Sequence, residues 1–295
     1  MILTPFLLLP LLAAILYVCA VLMIKRAVDA NIDTWRTSFV CNIITALTYA
    51  PLLVLGGTFH AELLWQPAAA GVLLIAGQFL TFRSVEGGHV SVATPMLSLK
   101  VVLVALFTSL FLSQQVLPRQ WVAAVLSTFA IMLLNRRGSA GQVESAGTGR
   151  TILYSGLAAM AFAMFDVLVQ KWSPLWGAGY FLPVMLLFSA LLSFLMIPRF
   201  TAPLNEIPGP AWPWLTVGSF LMGLQSVLFV TAIAIYGNGT AANVVYSSRG
   251  LWSVIMVWAV GHWFANRESH VSPDVFRGRV MGAVCMTVAV ALVFV

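Results

Sequence analysis

The sequence predicts an all-α membrane protein of ten transmembrane helices, arranged as two inverted five-helix repeats. Three observations carry this prediction. The 295-residue chain is 61% hydrophobic and only 8% charged, whereas a soluble domain carries roughly 25% charged residues. Its apolar residues form stretches of about 20 residues, the length that crosses a bilayer as a helix. The second five stretches repeat the pattern of the first five.

The ten predicted spans are separated by short breaks that are polar or contain Gly and Pro. They are residues 5–24, 36–55, 66–85, 91–112, 119–135, 151–171, 178–197, 212–235, 241–264 and 277–295. Residues 136–150 have the Gly/Ser composition of a flexible linker. We therefore expect a first repeat over 1–135, the linker 136–150 and a second repeat over 151–295. The first span lacks the basic segment of a cleaved signal peptide, so we expect it to be retained.

Two pairs of segments relate the halves to each other. Residues 11–26 resemble residues 156–171, and residues 87–115 resemble residues 238–267. Because each repeat has an odd number of spans, the two repeats enter the membrane in opposite orientations. This is the inverted-repeat plan of secondary transporters, in which the substrate site lies near the midplane between the repeats.

The loop charges predict the orientation of the chain. Of its 15 Lys and Arg residues, most lie in or beside the breaks after spans 1, 3, 5, 7 and 9: Lys25, Arg26, Arg36, Arg83, Arg136, Arg137, Arg150, Arg199, Arg267, Arg277 and Arg279. Only Arg119 and Lys171 lie in the breaks on the opposite side. Since basic loops stay in the cytoplasm, we expect an integral protein of the bacterial inner (plasma) membrane with both termini outside the cytoplasm.

Two basic residues lie deep inside predicted spans. Lys100 is about ten residues into span 4 and Arg249 about nine residues into span 9, and each costs about 2.5–3.5 kcal/mol at a helix centre. An alignment of Gly88 with Gly239 relates the two spans. It places Ser98 opposite Arg249, with Lys100 half a turn further on. Two converging cations predict an anion site, because a guanidinium binds carboxylate or phosphate bidentately and an ammonium acts as a point charge.

Asp166 is a deep acid in span 6. It either neutralises Arg249 or Lys100 as an internal ion pair, or meets a substrate amine or carries a coupling proton. With both cations present, the cavity would still carry a net positive charge. That charge favours an anionic or zwitterionic solute over a quaternary cation.

Further polar and aromatic residues within the spans are candidates for the same cavity. The substrate-binding candidates are Tyr17, Gln78, Ser98, Gln225, Tyr246, Ser248 and Trp252, with Asn42 and Asn243 as weaker ones. Each has the alternative of an interhelical hydrogen bond or of simple packing.

We expect no catalytic residue, no metal site and no cofactor. The sequence contains no GxSxG, no HExxH and no His-rich cluster. Its cysteines lie singly within apolar runs, at Cys19, Cys41 and Cys285. Gly278 and Gly282 form a small-xxx-small pair, which predicts either a close helix contact or a homodimer.

The sequence resembles the drug/metabolite transporter superfamily in its ten-span, EamA-type form. The resemblance covers the whole chain and is clearest in the two repeat endings, "GGHVSVATPMLSLKVVLVALFTSLFLSQQVLPRQW" and "GNGTAANVVYSSRGLWSVIMVWAVGHWFANRES". Each has a Gly turn, a small and polar helix start, a long apolar run and a short polar break. Members often carry Gly-Glu at that break, where this chain has Ser113-Gln114 and Ala265-Asn266.

The resemblance implies a solute cavity lined by spans 1–4 and 6–9, with spans 5 and 10 peripheral, and alternating access by rocking of the halves. The similar plastid phosphate translocators place basic residues in spans 4 and 9, as Lys100 and Arg249 are placed here. The similar small multidrug resistance proteins carry an essential glutamate in span 1, and this chain has no acid there. Members usually keep both termini in the cytoplasm, the reverse of what the loop charges favour.

The expected function is secondary active transport of a small anionic or zwitterionic metabolite by alternating access. A proton-coupled exporter of amphipathic or cationic drugs is the alternative, and a membrane-embedded enzyme or a structural membrane protein is the alternative from another class. The expected partners are a small-molecule solute and the lipid bilayer. Nucleic acid is not expected, because the basic residues lie in ones, twos and threes at the ends of apolar runs.

Overall fold

The computed structural model describes residues 5–86, 90–112, 114–134, 148–260 and 273–294. The helices of the first half are α1 (Leu8–Val28), α2 (Thr34–Tyr49), α3 (Trp65–Glu86), α4 (Val90–Ser98), α5 (Lys100–Phe111) and α6 (Pro118–Leu134). Those of the second half are α7 (Thr148–Trp176), α8 (Ala178–Ser193), α9 (Trp212–Tyr236), α10 (Gly239–Tyr246), α11 (Arg249–Val260) and α12 (Pro273–Phe294). Short 3-10 turns and loops connect them, and these ranges contain no strand. The all-helical fold is confirmed.

Eight stretches of the described chain are long and apolar enough to cross a membrane. They lie in α1, α2, α3, α4 with α5, α7, α8, α9 and α12, and correspond to predicted spans 1–4, 6–8 and 10. The other two predicted spans differ. The fifth, α6, has 17 residues, the lower limit for crossing the bilayer, and the ninth is divided between α10 and α11. The linker positions 136–147, Gly88 and the Ala265-Asn266 break lie outside the described residues.

Helices of one half pack against helices of the other in reciprocal pairs. α1 packs on α9, and the corresponding helix of the second half, α7, packs on α3. In the same way α2 packs on α9, and α8 packs on α3. Two further contacts join corresponding helices directly, α2 with α8 and α6 with α12. The largest cluster of buried side chains accordingly draws on both halves, with Tyr49, Trp176, Phe181, Phe229 and Tyr246 among its members.

The outward faces of the bundle are apolar. Leu47, Val54 and Leu195 are 68%, 90% and 73% exposed, and many other large apolar side chains share that position. Such a surface suits the hydrocarbon of a bilayer, where the backbone polar groups are bonded inside each helix.

One glycine of the pair predicted from the sequence, Gly282, makes a close contact within the chain. A Cβ atom on Gly282 would lie 2.9 Å from Cγ of Leu134 and 3.0 Å from the carbonyl oxygen of Ala130. Because only a glycine fits this contact, α12 can approach α6 closely. The contact between these two helices accounts for Gly282, and the homodimer stays a prediction.

Asp33 ties the loop between α1 and α2 to the loop between α8 and α9. Its carboxylate accepts hydrogen bonds from the backbone N–H groups of Trp35 and Arg36, both at 3.0 Å, and caps α2. It also pairs with Nε of Arg36 at 2.5 Å and accepts from the Thr201 hydroxyl at 2.9 Å. Partial burial acts to raise the pKa of Asp33, but these hydrogen bonds and the Arg36 charge outweigh it and hold the pKa below its usual value.

Candidate functional site

Both deep cations are the first residues of the second helix in a broken span. Lys100 begins α5 after a break at Leu99, and Arg249 begins α11 after a break at residues 247–248. By position in the fold, Lys100 is therefore the counterpart of Arg249. The sequence alignment that sets Ser98 opposite Arg249 is displaced by two residues from this match, because it was anchored on the distant turn glycines.

Pro95 accounts for the break in span 4. Proline has no backbone N–H and its ring clashes with the preceding turn. The Ser98 hydroxyl donates to the Pro95 carbonyl at 2.6 Å. The N–H of Leu99 donates to the Met96 carbonyl at 3.2 Å, the tighter pattern of a 3-10 turn. The Ser98 hydroxyl thus bonds within its own helix.

Serines mark the break in span 9, where no proline is present. The Ser247 hydroxyl donates to the Asn243 carbonyl at 2.8 Å, a type of bond that bends helices. The N–H of Ser248 donates to the Val245 carbonyl at 3.0 Å, again in the 3-10 pattern. The Ser248 hydroxyl is buried and has no hydrogen-bond partner within the described ranges.

Asp166, on α7, is the counter-ion of Lys100. The Nζ atom of Lys100 lies 2.8 Å from Oδ2 of Asp166, and the Asn243 amide donates to the same oxygen at 2.7 Å. The Asp166 side chain is fully buried, whereas that of Lys100 is 18% exposed. The second oxygen of Asp166, Oδ1, has no hydrogen-bond partner among the described residues. The internal ion pair, one of the two alternatives for Asp166, forms here with Lys100.

Arg249 lies against two aromatic rings. Its Cζ atom is 4.6 Å from the ring centres of both Tyr17 and Tyr246, within cation–π range. In the part of the chain that the structure describes, no Asp or Glu forms an ion pair with it. Its side chain is only partly buried. The Tyr246 hydroxyl also interacts with the guanidinium. No described acid occupies the N–H groups of Arg249, which can bind a carboxylate bidentately.

Aromatic rings link the two cations. The Nζ atom of Lys100 is 5.3 Å from the ring centre of Phe229, and Phe229 stacks on Tyr246 with 4.3 Å between centres. Tyr246 in turn contacts Arg249. The cations from the two halves therefore belong to one cluster, together with rings from α9 and α10. No sequence pattern singled out Phe229, because a phenylalanine in an apolar helix is ordinarily a packing residue.

The two predicted glutamines have different surroundings. Oε1 of Gln225 accepts a hydrogen bond from the Tyr246 hydroxyl at 2.8 Å, so Gln225 adjoins the aromatic cluster. Gln78 forms a reciprocal pair with the Asn42 amide, with bonds of 3.0 and 3.1 Å. Gln78 thus joins α2 to α3 and its amide is already used.

Trp252 carries an unused donor close to Arg249. The two residues are three positions apart on α11, which puts them on neighbouring parts of one helix face. The indole nitrogen of Trp252 is buried and has no hydrogen-bond partner in the described part of the chain. Its ring packs against the main buried cluster. Trp252 therefore both packs and offers an N–H.

Side-chain amides join the two halves at one end of the bundle. The Gln170 amide donates to Oε1 of Gln114 at 2.7 Å and to the Gly237 carbonyl at 2.6 Å. The Gln120 amide donates to Oδ1 of Asn238 at 3.3 Å. At this same end α5 packs on α10. We call these four amide side chains, Gln114, Gln120, Gln170 and Asn238, the amide latch.

A polar cavity of about 260 Å³ lies within the amide latch. Besides the latch residues it is lined by Thr108 and Thr240, whose hydroxyls are buried and have no partner in the described ranges. At the opposite end, α4 packs on α3, α6 and α7, whereas α11 packs on α1, α6 and α12. The two half-helices therefore have different neighbours at the end away from the latch. The described residues hold no group of three potential metal ligands.

Comparison with known proteins agrees with this architecture. Residues 4–136 match the model of the EamA-like transporter family. Among solved structures 28 chains match. One of them, described only as "Crystal structure of protein", has a TM-score of 0.74 at 13% sequence identity and covers 99% of this chain and 98% of its own. At that identity the likeness concerns the fold alone. No curated protein matches the sequence.

Proposed function

We propose that this chain is a secondary active transporter of a small anionic or zwitterionic metabolite, and that its solute site is the cluster around Lys100 and Arg249. Residues 4–136 match the EamA-like transporter family, part of the drug/metabolite transporter superfamily. The apolar helices are those of a transmembrane protein, and the match to a transporter family fits transport rather than catalysis.

Arg249 is the observation that carries this proposal. A guanidinium inside a membrane span costs about 2.5–3.5 kcal/mol at the centre of a helix. No carboxylate of the described chain forms an ion pair with this guanidinium, and the side chain is only partly buried. A carboxylate or phosphate on the cargo would supply the missing charge through bidentate hydrogen bonds.

The charges of the cluster favour an anionic group on the cargo. Lys100 and Asp166 offset each other, so Arg249 leaves the site with one net positive charge. A cationic drug would be repelled by that charge. It would also have to displace Lys100 from Asp166, the single acid located away from the span ends. The proton-coupled exporter of cationic drugs is therefore the weaker alternative.

Uncharged groups beside Arg249 suit a cargo with further polar or planar parts. The Trp252 indole N–H and the Ser248 hydroxyl are unused within the described ranges. The Tyr17 ring is partly exposed and can stack on a planar group. These groups would orient the cargo once Arg249 holds its anionic end.

Alternating access requires two halves that move relative to each other. We propose ten spans in two inverted repeats, 1–135 and 151–295, joined by the linker 136–150. The reciprocal packing of the helices and the matched breaks before Lys100 and Arg249 support this arrangement. With the orientation given by the loop charges, the amide latch faces the outside of a bacterial inner (plasma) membrane. The solute would then reach the cluster from the cytoplasmic end.

A thermal-stability screen of the purified protein tests the proposal. The compounds are amino acids, organic acids, phosphorylated sugars, nucleotides and lipophilic cations. We expect an anionic or zwitterionic compound to raise the unfolding temperature of the wild type and not that of Arg249→Gln. The same compound should be taken up by proteoliposomes preloaded with it.

Arg249→Lys is the matched control, because it keeps the charge and loses the bidentate geometry. We expect it to keep a reduced response. Stabilisation by lipophilic cations alone, or an unchanged response of Arg249→Gln, would overturn the proposal.

A further inference from the structure

We propose that Asp166 is a proton-binding site, and that its protonation releases Lys100 to bind the anionic group of the cargo. The proton is thus a co-substrate that enters the site together with the anion. This inference rests on the proposed function. It names the coupling ion and the residue that carries it.

The two carboxylate oxygens of Asp166 have different hydrogen-bond partners. Oδ2 is occupied, because it accepts from Lys100 at 2.8 Å and from Asn243 at 2.7 Å. Oδ1 is buried and has no partner within the described ranges. A proton can therefore bind Oδ1 while the amide of Asn243 keeps its hydrogen bond to Oδ2.

The ammonium of Lys100 cannot pair with an anionic cargo and with a charged Asp166 at the same time. Moving its ammonium toward an anion beside Arg249 would leave a fully buried carboxylate without a counter-ion, which is strongly destabilising. Neutralising the carboxylate removes that obstacle, because a protonated acid needs no ion pair. The bound proton and the bound anion together change the net charge of the site by zero.

The charges around Asp166 come from a small number of groups. Lys100 on α5 is its ion-pair partner, and Arg249 on α11 and Tyr246 on α10 interact with it electrostatically. Helix α4 has no titratable residue. The remaining helices packed on α7 carry theirs at or near their ends: Arg83 and Glu86 on α3, Tyr180 on α8 and Tyr236 on α9.

Lys100 is therefore the close counter-charge of Asp166. While the pair is intact, the ammonium offsets the charge of the carboxylate. Once Lys100 is withdrawn, the described surroundings offer Asp166 no second ion pair. Removing Lys100 by mutation imitates the state in which it has turned to the cargo.

Infrared spectroscopy of purified variants tests this without any cargo. We expect Lys100→Gln at neutral pH to show the C=O band of a protonated carboxylic acid. The band should be absent from the wild type, from Lys100→Arg, and from the double variant Lys100→Gln/Asp166→Asn, which assigns it to Asp166. Absence of the band from folded Lys100→Gln at neutral pH would overturn the inference.

An acid titration of the wild type covers the case in which Lys100→Gln does not fold. A carboxylic acid band that is missing from Asp166→Asn should appear as the pH falls. Identical titrations of the two proteins would overturn the inference. The two experiments distinguish proton binding from anion binding. A negative infrared result with a positive solute screen would reject only the proton coupling. A negative screen removes the proposed function and the coupling built on it.

Discussion

The two broken spans carry equivalent cations in different surroundings. In the first half, Pro95 breaks the helix and the cation after the break, Lys100, is paired with Asp166. In the second half, serines mark the break and Arg249 lies against two aromatic rings, with no ion pair to an acid in the described chain. The same backbone feature thus carries one cation with a direct counter-ion and one without a direct counter-ion among the described residues.

The difference between the two cations has a physical reason. An ammonium is compact and strongly hydrated, so burial requires a close counter-ion such as Asp166. A guanidinium is planar and more weakly hydrated, and aromatic faces can cover it while its edge stays open. The residue types at the two positions therefore suit a buried ion pair and a ligand-binding group, respectively.

Lys100→Ala should have the largest effect on stability. It removes the counter-ion of the buried Asp166, so that the folded protein must hold this acid either unpaired or protonated; loss of one partner of a buried pair costs about 3–5 kcal/mol. The double variant Lys100→Ala/Asp166→Asn should recover much of this loss, because no buried charge is left. Thermal unfolding in detergent measures both. A double variant as unstable as the single one would contradict the assignment of Lys100 as the counter-ion of Asp166.

Arg249→Gln should destabilise the fold far less than Lys100→Ala. It removes contacts with the rings of Tyr17 and Tyr246, each of which contributes on the order of 0.5–1 kcal/mol, and it strands no acid. The same unfolding assay gives the difference between the two variants. Equal losses would mean that Arg249 has a structural counter-ion after all.

Asp33→Ala removes, for comparison, an ion pair that lies outside the site. It removes the cap of α2 and the pair with Arg36, and should cost about 1–2 kcal/mol. Because the pKa of Asp33 is lowered in the folded protein, its contribution is present above the ordinary aspartate pKa of about 3.9. It should be lost as the pH falls through the lowered value. Unfolding curves across that range test this, and solute binding should be unchanged.

Tyr246→Phe should have the smallest effect. It keeps the ring that contacts Phe229 and Arg249 and removes the hydroxyl, which donates to Gln225 and interacts with Arg249. A hydrogen bond of this kind is worth about 1 kcal/mol. Tyr246→Leu, which also removes the ring, is the comparison variant. If the Phe variant lost solute binding as completely as the Leu variant, the hydroxyl would be the important group and the ring contact would not.

The length of the apolar runs predicted most of the helices, and the charged residues within those runs predicted the centre of the site. The apolar runs predicted the helices, and the cost of charge in a bilayer singled out Lys100, Arg249 and Asp166. The breaks were not predicted, because Pro95 and the serine pair are also tolerated within continuous helices. Their position corrected the correspondence between the halves from Ser98 to Lys100.

The partner of Asp166 could not be predicted from the sequence. By charge alone, Lys100 and Arg249 are equally good partners for Asp166. The packing of α5 and α10 on α7 is what brings Lys100 and Asn243 to this acid. In the same way, Gln78 resembled a ligand-binding residue until its pairing with Asn42 was located. Tertiary contacts, which leave no local pattern, decide such cases.

Equilibrium binding of the solute found by the stability screen tests most directly whether Arg249 is the cation left for the cargo. The proteins compared are the wild type, Arg249→Lys and Arg249→Gln, each at the same folded concentration. A hydrogen bond to a charged group contributes about 1.5–3 kcal/mol, so Arg249→Gln should bind roughly tenfold to hundredfold more weakly, with Arg249→Lys in between. Wild-type affinity in folded Arg249→Gln would contradict the assignment of this residue to the solute.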